Sequence, residues 1–243
     1  MNKRYFKGIM AIAMIAVLAL LSVTSGCAPA PSKVDRVTAA DMSNSALLIV
    51  HMQNDVVKEG GFVDYLIKEG VSAPHLDGIQ AIIPNISKIA TAMRADGRPV
   101  VIGNVAVKEA DYSDSLYPYW KVPKVTERPF FVEGTWGADT VEELAPQGDD
   151  YLVIGRSWNV FYGTELDELL RKLGVNTVII TGVHTDACAL FTAAGAVERG
   201  YYVIYVIDGM AALDENAHIC GLGSLGKAIG EGKTTNQVIK MLE

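Results

Sequence analysis

Apolar residues fall into two patterns along this chain. In the first, short runs are apolar at successive positions and rich in β-branched residues: Ala46–Val50, Pro99–Val105, Tyr151–Ile154, Thr177–Thr181 and Tyr201–Ile207. Continuous rather than alternating apolar runs belong to strands covered on both faces, so they predict buried parallel strands. In the second pattern apolar residues recur close to every 3.6 positions. Ile82, Ile83, Ile86, Ile89, Ala90 and Met93 predict a helix over Ile79–Ala95 that stops at Gly97. Helices are likewise expected over Glu165–Leu173, before Gly174, and Asp186–Glu198, before Gly200. Strands alternating with helices give a parallel sheet with helices on both sides.

Residues 106–137 break this rhythm. They hold Tyr112, Tyr117, Tyr119, Trp120, Phe130, Phe131 and Trp136. A long aromatic connection of this kind is a substrate cover, a subunit contact or plain packing.

The N-terminus follows neither pattern. Lys3, Arg4 and Lys7 precede an unbroken apolar run from Ile9 to Leu21, followed by Thr24-Ser25-Gly26-Cys27. That is the layout of a secretory signal, and the run is short for a membrane span of about 20 residues. Cys27 after Gly26 resembles a bacterial lipobox, which implies cleavage before Cys27 and acylation of its thiol; an uncleaved anchor or a plain signal is the alternative. Ala28-Pro29-Ala30-Pro31-Ser32 reads as a short stiff tether. The expected organisation is a signal peptide over 1–26, a lipidated Cys27 with its tether over 27–44, and one α/β domain over 45–243. The expected location is extracytoplasmic, at a membrane surface.

The net charge of −7 comes without a basic block, so nothing points to nucleic acid as a partner. The cysteines are Cys27, Cys188 and Cys220. With Cys27 lipidated, Cys188 and Cys220 could pair in an oxidising compartment, which would disable either as a nucleophile.

In open α/β sheets ligands bind beyond the carboxyl ends of the strands. Three reactive side chains fall at such ends. His51 follows Ala46–Val50, Arg156 follows Tyr151–Ile154, and Cys188 follows Thr177–Thr181 after a short loop. Cys188 lies in the expected first turn of a helix, where unpaired N–H groups and the dipole favour a thiolate. The same N–H groups could stabilise an oxyanion. A small buried thiol is the plainer reading. His51 could serve as general base to Cys188 or be a hydrogen-bonded structural residue. Arg156 could hold a substrate carboxylate or carbonyl or form a surface ion pair.

Four ordered segments add to this. They are LLIVHMQND at 47–55, FVEGTWGADTVEELAP at 131–146, FYGTELDELLRKLGV at 161–175 and VIITGVHTDACALFTAAGAVERGY at 178–201. Together they resemble the isochorismatase-like cysteine hydrolases, a group that includes nicotinamidases, N-carbamoylsarcosine amidases and ureidoacrylate and biuret amidohydrolases. The resemblance implies a Rossmann-like three-layer α/β/α sandwich around a six-stranded parallel sheet, and a homo-oligomer. It implies a cis peptide at Val183–His184 and an oxyanion hole from the amides of His184 and Cys188. The family's catalytic set is Asp, Lys and Cys; the matching positions here hold His51, Arg156 and Cys188. Histidine can take and return a proton near neutral pH, whereas arginine keeps the lysine's charge without its proton chemistry.

The expected activity is cleavage of a C–N bond in a small amide or ureide through a Cys188 thioester. His51 would act as base then acid, Arg156 as an orienting cation, and Trp158 and Phe161 as pocket walls. The alternative is a lipid-anchored small-molecule-binding protein without turnover. Residues 103–125 contain no histidine, and His75, His184 and His218 are scattered. No metal and no cofactor are expected.

Overall fold

The computed structural model of the protein describes residues 36–70, 76–108 and 128–243. Cys27, the tether, His75 and four of the aromatic residues (Tyr112, Tyr117, Tyr119 and Trp120) lie outside the described residues. The fold is that of the compact unit Val34–Glu243.

The elements run β1 (Ser45–Val50), α1 (Asn54–Val57), α2 (Phe62–Lys68), α3 (Leu76–Ala81), α4 (Ile83–Ala95), β2 (Val100–Val105), β3 (Tyr151–Gly155) and α5 (Leu166–Lys172). They continue with β4 (Thr177–Val183), α6 (Cys188–Glu198), β5 (Tyr202–Ala211), α7 (Glu215–Ala228), β6 (Glu231–Lys233) and α8 (Thr235–Leu242). The strands form one six-stranded sheet in the order β3-β2-β1-β4-β5-β6, and every pairing is parallel.

All six residues of β1 are buried, yet they alternate between two cores. Leu47 and Ile49 pack with Ile86, Ile89 and Met93 of α4 and Val238 of α8. Ala46, Leu48 and Val50 pack with Leu170 of α5, Ala189 and Ala193 of α6 and Leu225 of α7. The period of two in a strand thus serves a helical layer on each side, which is why β1 reads as continuously apolar.

Three differences from the expected elements have local causes. The helix expected over Ile79–Ala95 is two helices, because Pro84 enters the first turn of α4 and cannot donate the bond that would join it to α3. Helix α6 begins at Cys188, two residues later than its periodicity suggests, with Ala187 (φ −133°, ψ −100°) as its non-helical cap. The sixth strand, Glu231-Gly232-Lys233, has no apolar residue and pairs only with β5 at the sheet edge.

Chain order sets where the strands diverge. From β1 the chain builds outward to β2 and β3, then returns to the other flank of β1 with β4. The crevice beyond the carboxyl ends of β1 and β4 is therefore the topological switch point, the usual ligand position in such sheets.

Candidate active site

Beyond β1 the chain is bolted to its neighbour. The His51 amide donates to the Gly103 carbonyl of β2 at 2.8 Å, and the Gln53 amide donates to the His51 carbonyl at 2.8 Å. The Gln53 side chain then donates to the carbonyls of Val105 (2.7 Å) and Ala138 (2.6 Å) and accepts from the Val105 amide (2.9 Å). Asn54 donates to the Trp136 carbonyl at 2.8 Å, and Asp55 accepts from the Phe131 amide at 2.7 Å. The polar run Gln53-Asn54-Asp55 thus fastens segment 128–140 against the end of the sheet. Gly137 is required in this clasp, since a side chain there would collide with the Asp55 carboxylate.

Beyond β4 the backbone turns sharply. Gly182 has φ +99°, and a Cβ at this position would strike the Val50 carbonyl of β1. The next peptide, Val183–His184, is cis. Thr185 donates its amide to the Ala211 carbonyl of β5 (2.8 Å), and the His184 carbonyl accepts from Ala187 (3.0 Å) and Ala189 (3.1 Å) in the opening turn of α6. This loop delivers Cys188 as the first helical residue. The backbone N–H groups of His184 and Cys188 favour its thiolate.

These two chain turns enclose a cavity of roughly 260 Å³. His51, His184 and Cys188 all border it, and Trp158 forms part of its wall. Its remaining described surface is mostly apolar, supplied by Phe62, Val63, Phe130, Phe131 and Phe191 among others, with Asp186 the charged member.

Burial governs the protonation states. His51 is 2% exposed, and neither ring nitrogen has a hydrogen-bond partner among the described residues. Desolvation, and secondarily the neighbouring His184, pushes its pKa down to about 3. His184 is also pulled down by desolvation, with Asp186 acting in the opposite direction. Cys188 is pushed up to about 12 by desolvation, against the two amides that favour its thiolate. At neutral pH both the thiol and the His51 imidazole are uncharged. Cys188 and Cys220 are both free thiols, the first buried and the second exposed.

The other residues singled out from the sequence lie elsewhere. Arg156 follows β3, the edge strand, is exposed, and is not among the residues lining the cavity. Phe161 is buried in the core behind α6, 6.0 Å from the Tyr201 ring and under the Arg199 guanidinium. Among the described residues no group of three His, Cys, Asp or Glu side chains is disposed to hold a metal ion.

The sequence reading missed Phe62, Val63, Asp186 and Phe191. Phe191 was within reach of it, because i and i+3 share a helix face and place this ring beside Cys188. Phe62 and Val63 carried no such signal; they reach the cavity only because the chain doubles back after α1.

The switch-point crevice thus holds a thiol in the first turn of a helix and a buried imidazole. An isochorismatase domain matches residues 45–237, and the chain belongs to the isochorismatase family. The ureidoacrylate amidohydrolase RutB of Yersinia enterocolitica is 30% identical over 178 residues, covering 68% of this chain and 74% of that protein. Among solved structures, an isochorismatase-like hydrolase from Alkaliphilus metalliredigens is 31% identical with a TM-score of 0.66, covering 82% of this chain and 99% of its own. The N-carbamoylsarcosine amidase from Thermoplasma acidophilum is 26% identical with a TM-score of 0.62, covering 79% and 97%. The family and these relatives make the chain a hydrolase at the general level, one with amidohydrolases among its homologues.

Proposed function

We propose that this protein cleaves the C–N bond of a small amide or ureide through a thioester on Cys188. The observation that carries the reading is that Cys188, in the first turn of α6, and the buried His51 imidazole border one cavity. His51 accepts the thiol proton as sulfur attacks the carbonyl carbon. The carbonyl oxygen gains charge and the two amides stabilise it. The C–N bond then breaks, and His51 returns the proton to the leaving nitrogen. Water, losing a proton to His51, opens the thioester, and the acid leaves as the thiol is regenerated. The reacting pair in this reading is Cys188 and His51; Arg156 is not among the described residues that line the cavity. An N-terminal lipid on Cys27, outside the cytoplasm, remains part of the proposal on the strength of the signal-like residues 1–27.

The test is a panel of primary amides and ureides assayed for ammonia release, with mass spectrometry of the quenched protein. An acyl adduct on Cys188, absent in Cys188→Ala together with turnover, is the expected result. Hydrolysis that persists in Cys188→Ala removes the reading.

One observation favours a second reading, ligand binding without turnover. Burial leaves the resting thiol with a pKa of about 12 beside a base held at about 3, a combination that opposes ionisation until a ligand changes the surroundings. Saturable ligand binding with no product release from the whole panel would select it.

A further inference from the structure

The loop that carries Cys188 is gripped from outside the cavity. Thr185, three residues before the thiol, is fully buried. Its amide donates to the Ala211 carbonyl at the end of β5 (2.8 Å), and its hydroxyl lies 2.8 Å from Nδ1 of His218 on α7. A second contact follows one turn along the helix. Gly221 is buried against the same stretch of chain, where a Cβ would lie 2.7 Å from the Thr185 carbonyl carbon and oxygen. His218, Gly221 and Leu225 share one helix face by their spacing, and Leu225 is buried in the core that also holds Cys188 and Ala189. The start of α7 is fixed in turn. The Asp214 side chain accepts the Ala217 amide at 2.9 Å as the helix cap, and the Asp214 carbonyl accepts the His218 amide at 3.0 Å. A capped helix, rather than a loop, presents the imidazole to Thr185.

His218 stands apart from the reacting groups. It is half-buried and lines a separate crevice of roughly 290 Å³ with Met210, Ala211, Ala212 and Glu215 among others. Burial pulls its pKa below the ordinary value, with Asp186 and Glu215 acting against that shift, so the ring is neutral at pH 7. A hydroxyl donates or accepts, so the Thr185 bond holds with the proton on either ring nitrogen. What the bond restrains is the loop. The His184 carbonyl, accepting from Ala187 and Ala189, closes a tight turn around Thr185 and passes any shift there on to Cys188. Misplacing a reacting atom by about 1 Å costs on the order of 10²-fold in rate.

We propose that His218 is a positioning residue, whose bond to the Thr185 hydroxyl holds the loop and so sets where the Cys188 sulfur stands. The proposal rests on the reading of Cys188 as the nucleophile, and adds to it a residue that acts through Thr185.

The test reads the thiol directly and needs no substrate. Iodoacetamide labelling at about pH 9 is followed on the full chain by peptide mass spectrometry, with Cys220, exposed on the same helix, as internal reference. His218→Phe and Thr185→Val are each expected to speed Cys188 labelling about fivefold relative to Cys220, the scale of one neutral hydrogen bond. His218→Asn keeps a polar atom close to the place of Nδ1 and should label within about twofold of the parent. The double variant His218→Phe/Thr185→Val should label no faster than the single ones, because each removes the same bond. Additive effects in the double variant, or parental labelling in Thr185→Val, overturn the proposal. The second outcome decides the matter even where His218→Phe does not fold. Ammonia release from the amide and ureide panel is measured on the same chains, where kcat should fall about tenfold in His218→Phe with KM within about twofold. Faster labelling of the variants with no hydrolysis by any chain, the parent included, keeps the loop assignment and removes the hydrolase reading. Parental labelling in variants of an active parent does the reverse.

Discussion

The Asp55 carboxylate accepts the Phe131 amide at 2.7 Å, so the aromatic wall of the cavity hangs from the short helix that follows β1. Asp55 is buried, and desolvation raises its pKa even though the Phe131 amide, Arg128 and the Phe62 amide act against that shift. Replacing it with Ala leaves the Phe131 N–H unsatisfied inside the protein, at a cost of about 2 kcal/mol. Asp55→Asn keeps an oxygen acceptor and sheds the charge, so its cost is smaller. Chemical denaturation of both variants measures the difference. Ligand affinity should fall in Asp55→Ala and hold within about threefold in Asp55→Asn.

His51 has φ +51°, a conformation that Asn and Asp tolerate better than most side chains. This makes two clean replacements available. His51→Asn removes the base and should lower kcat/KM by about 10²-fold or more. His51→Asp supplies a carboxylate at the same place and should retain more activity than His51→Asn. Equal rates in the parent and His51→Asn would remove His51 from the chemistry. Because burial holds His51 near 3, the kcat/KM profile of the parent should be flat from pH 5 to 8, with no limb near 6.5.

Alkylation should distinguish the two free thiols. Cys220 is exposed and Cys188 buried, so iodoacetamide at pH 7 should modify Cys220 first. The Cys188 rate should climb steadily above pH 9, as expected of a thiol pushed up to about 12. Rapid modification of Cys188 at pH 7, lost in His51→Asn, would instead reveal a preformed thiolate–imidazolium pair.

The buried histidines also set a stability profile. The His51 pKa falls from 6.5 in the unfolded chain to about 3 in the folded one, and that of His184 falls as well. In that window the unfolded chain binds more protons. Stability is therefore full above pH 6.5 and is lost as the pH falls through the acid range, by a few kcal/mol per group on the order of its shift. Cys188 has the opposite sign. Its folded value lies above the ordinary 9.0, so its contribution is full below pH 9 and fades toward pH 12. Tm against pH should show a plateau between about 6.5 and 9 with a fall on each side. In His51→Asn the acid-side fall should be shallower.

Cys27→Ala should abolish metabolic labelling by fatty acid and release the protein from membranes, if Gly26-Cys27 is a processing site. Membrane retention unchanged by the substitution would point to an uncleaved anchor.

Five of the six strands were legible because buried parallel strands write themselves as apolar runs; β6 was not, because an edge strand of three residues needs no apolar face. His51, Arg156 and Cys188 were legible as residues at strand ends; the adjacency of β1 and β4, with Val50 paired to Gly182, brings His51 and Cys188 to one cavity, whose described lining does not include Arg156. Asp186 and Phe191 were hidden behind the interest of Cys188 itself. The roles of Gln53 and Asp55 were hidden for a different reason. Their partners at 105, 131 and 138 are brought close by a connection whose path no periodicity describes.

The strand order has one more outcome. His51 and Cys188 are carried by β1 and β4, which have strands on both sides, while Arg156 follows β3 at the margin. Central strands exchange their amide protons only on global unfolding, whereas margins open and close on their own. Heating short of the melting transition would therefore loosen the chain around Arg156 first. The imidazole and the thiol would keep their places until the whole sheet gave way.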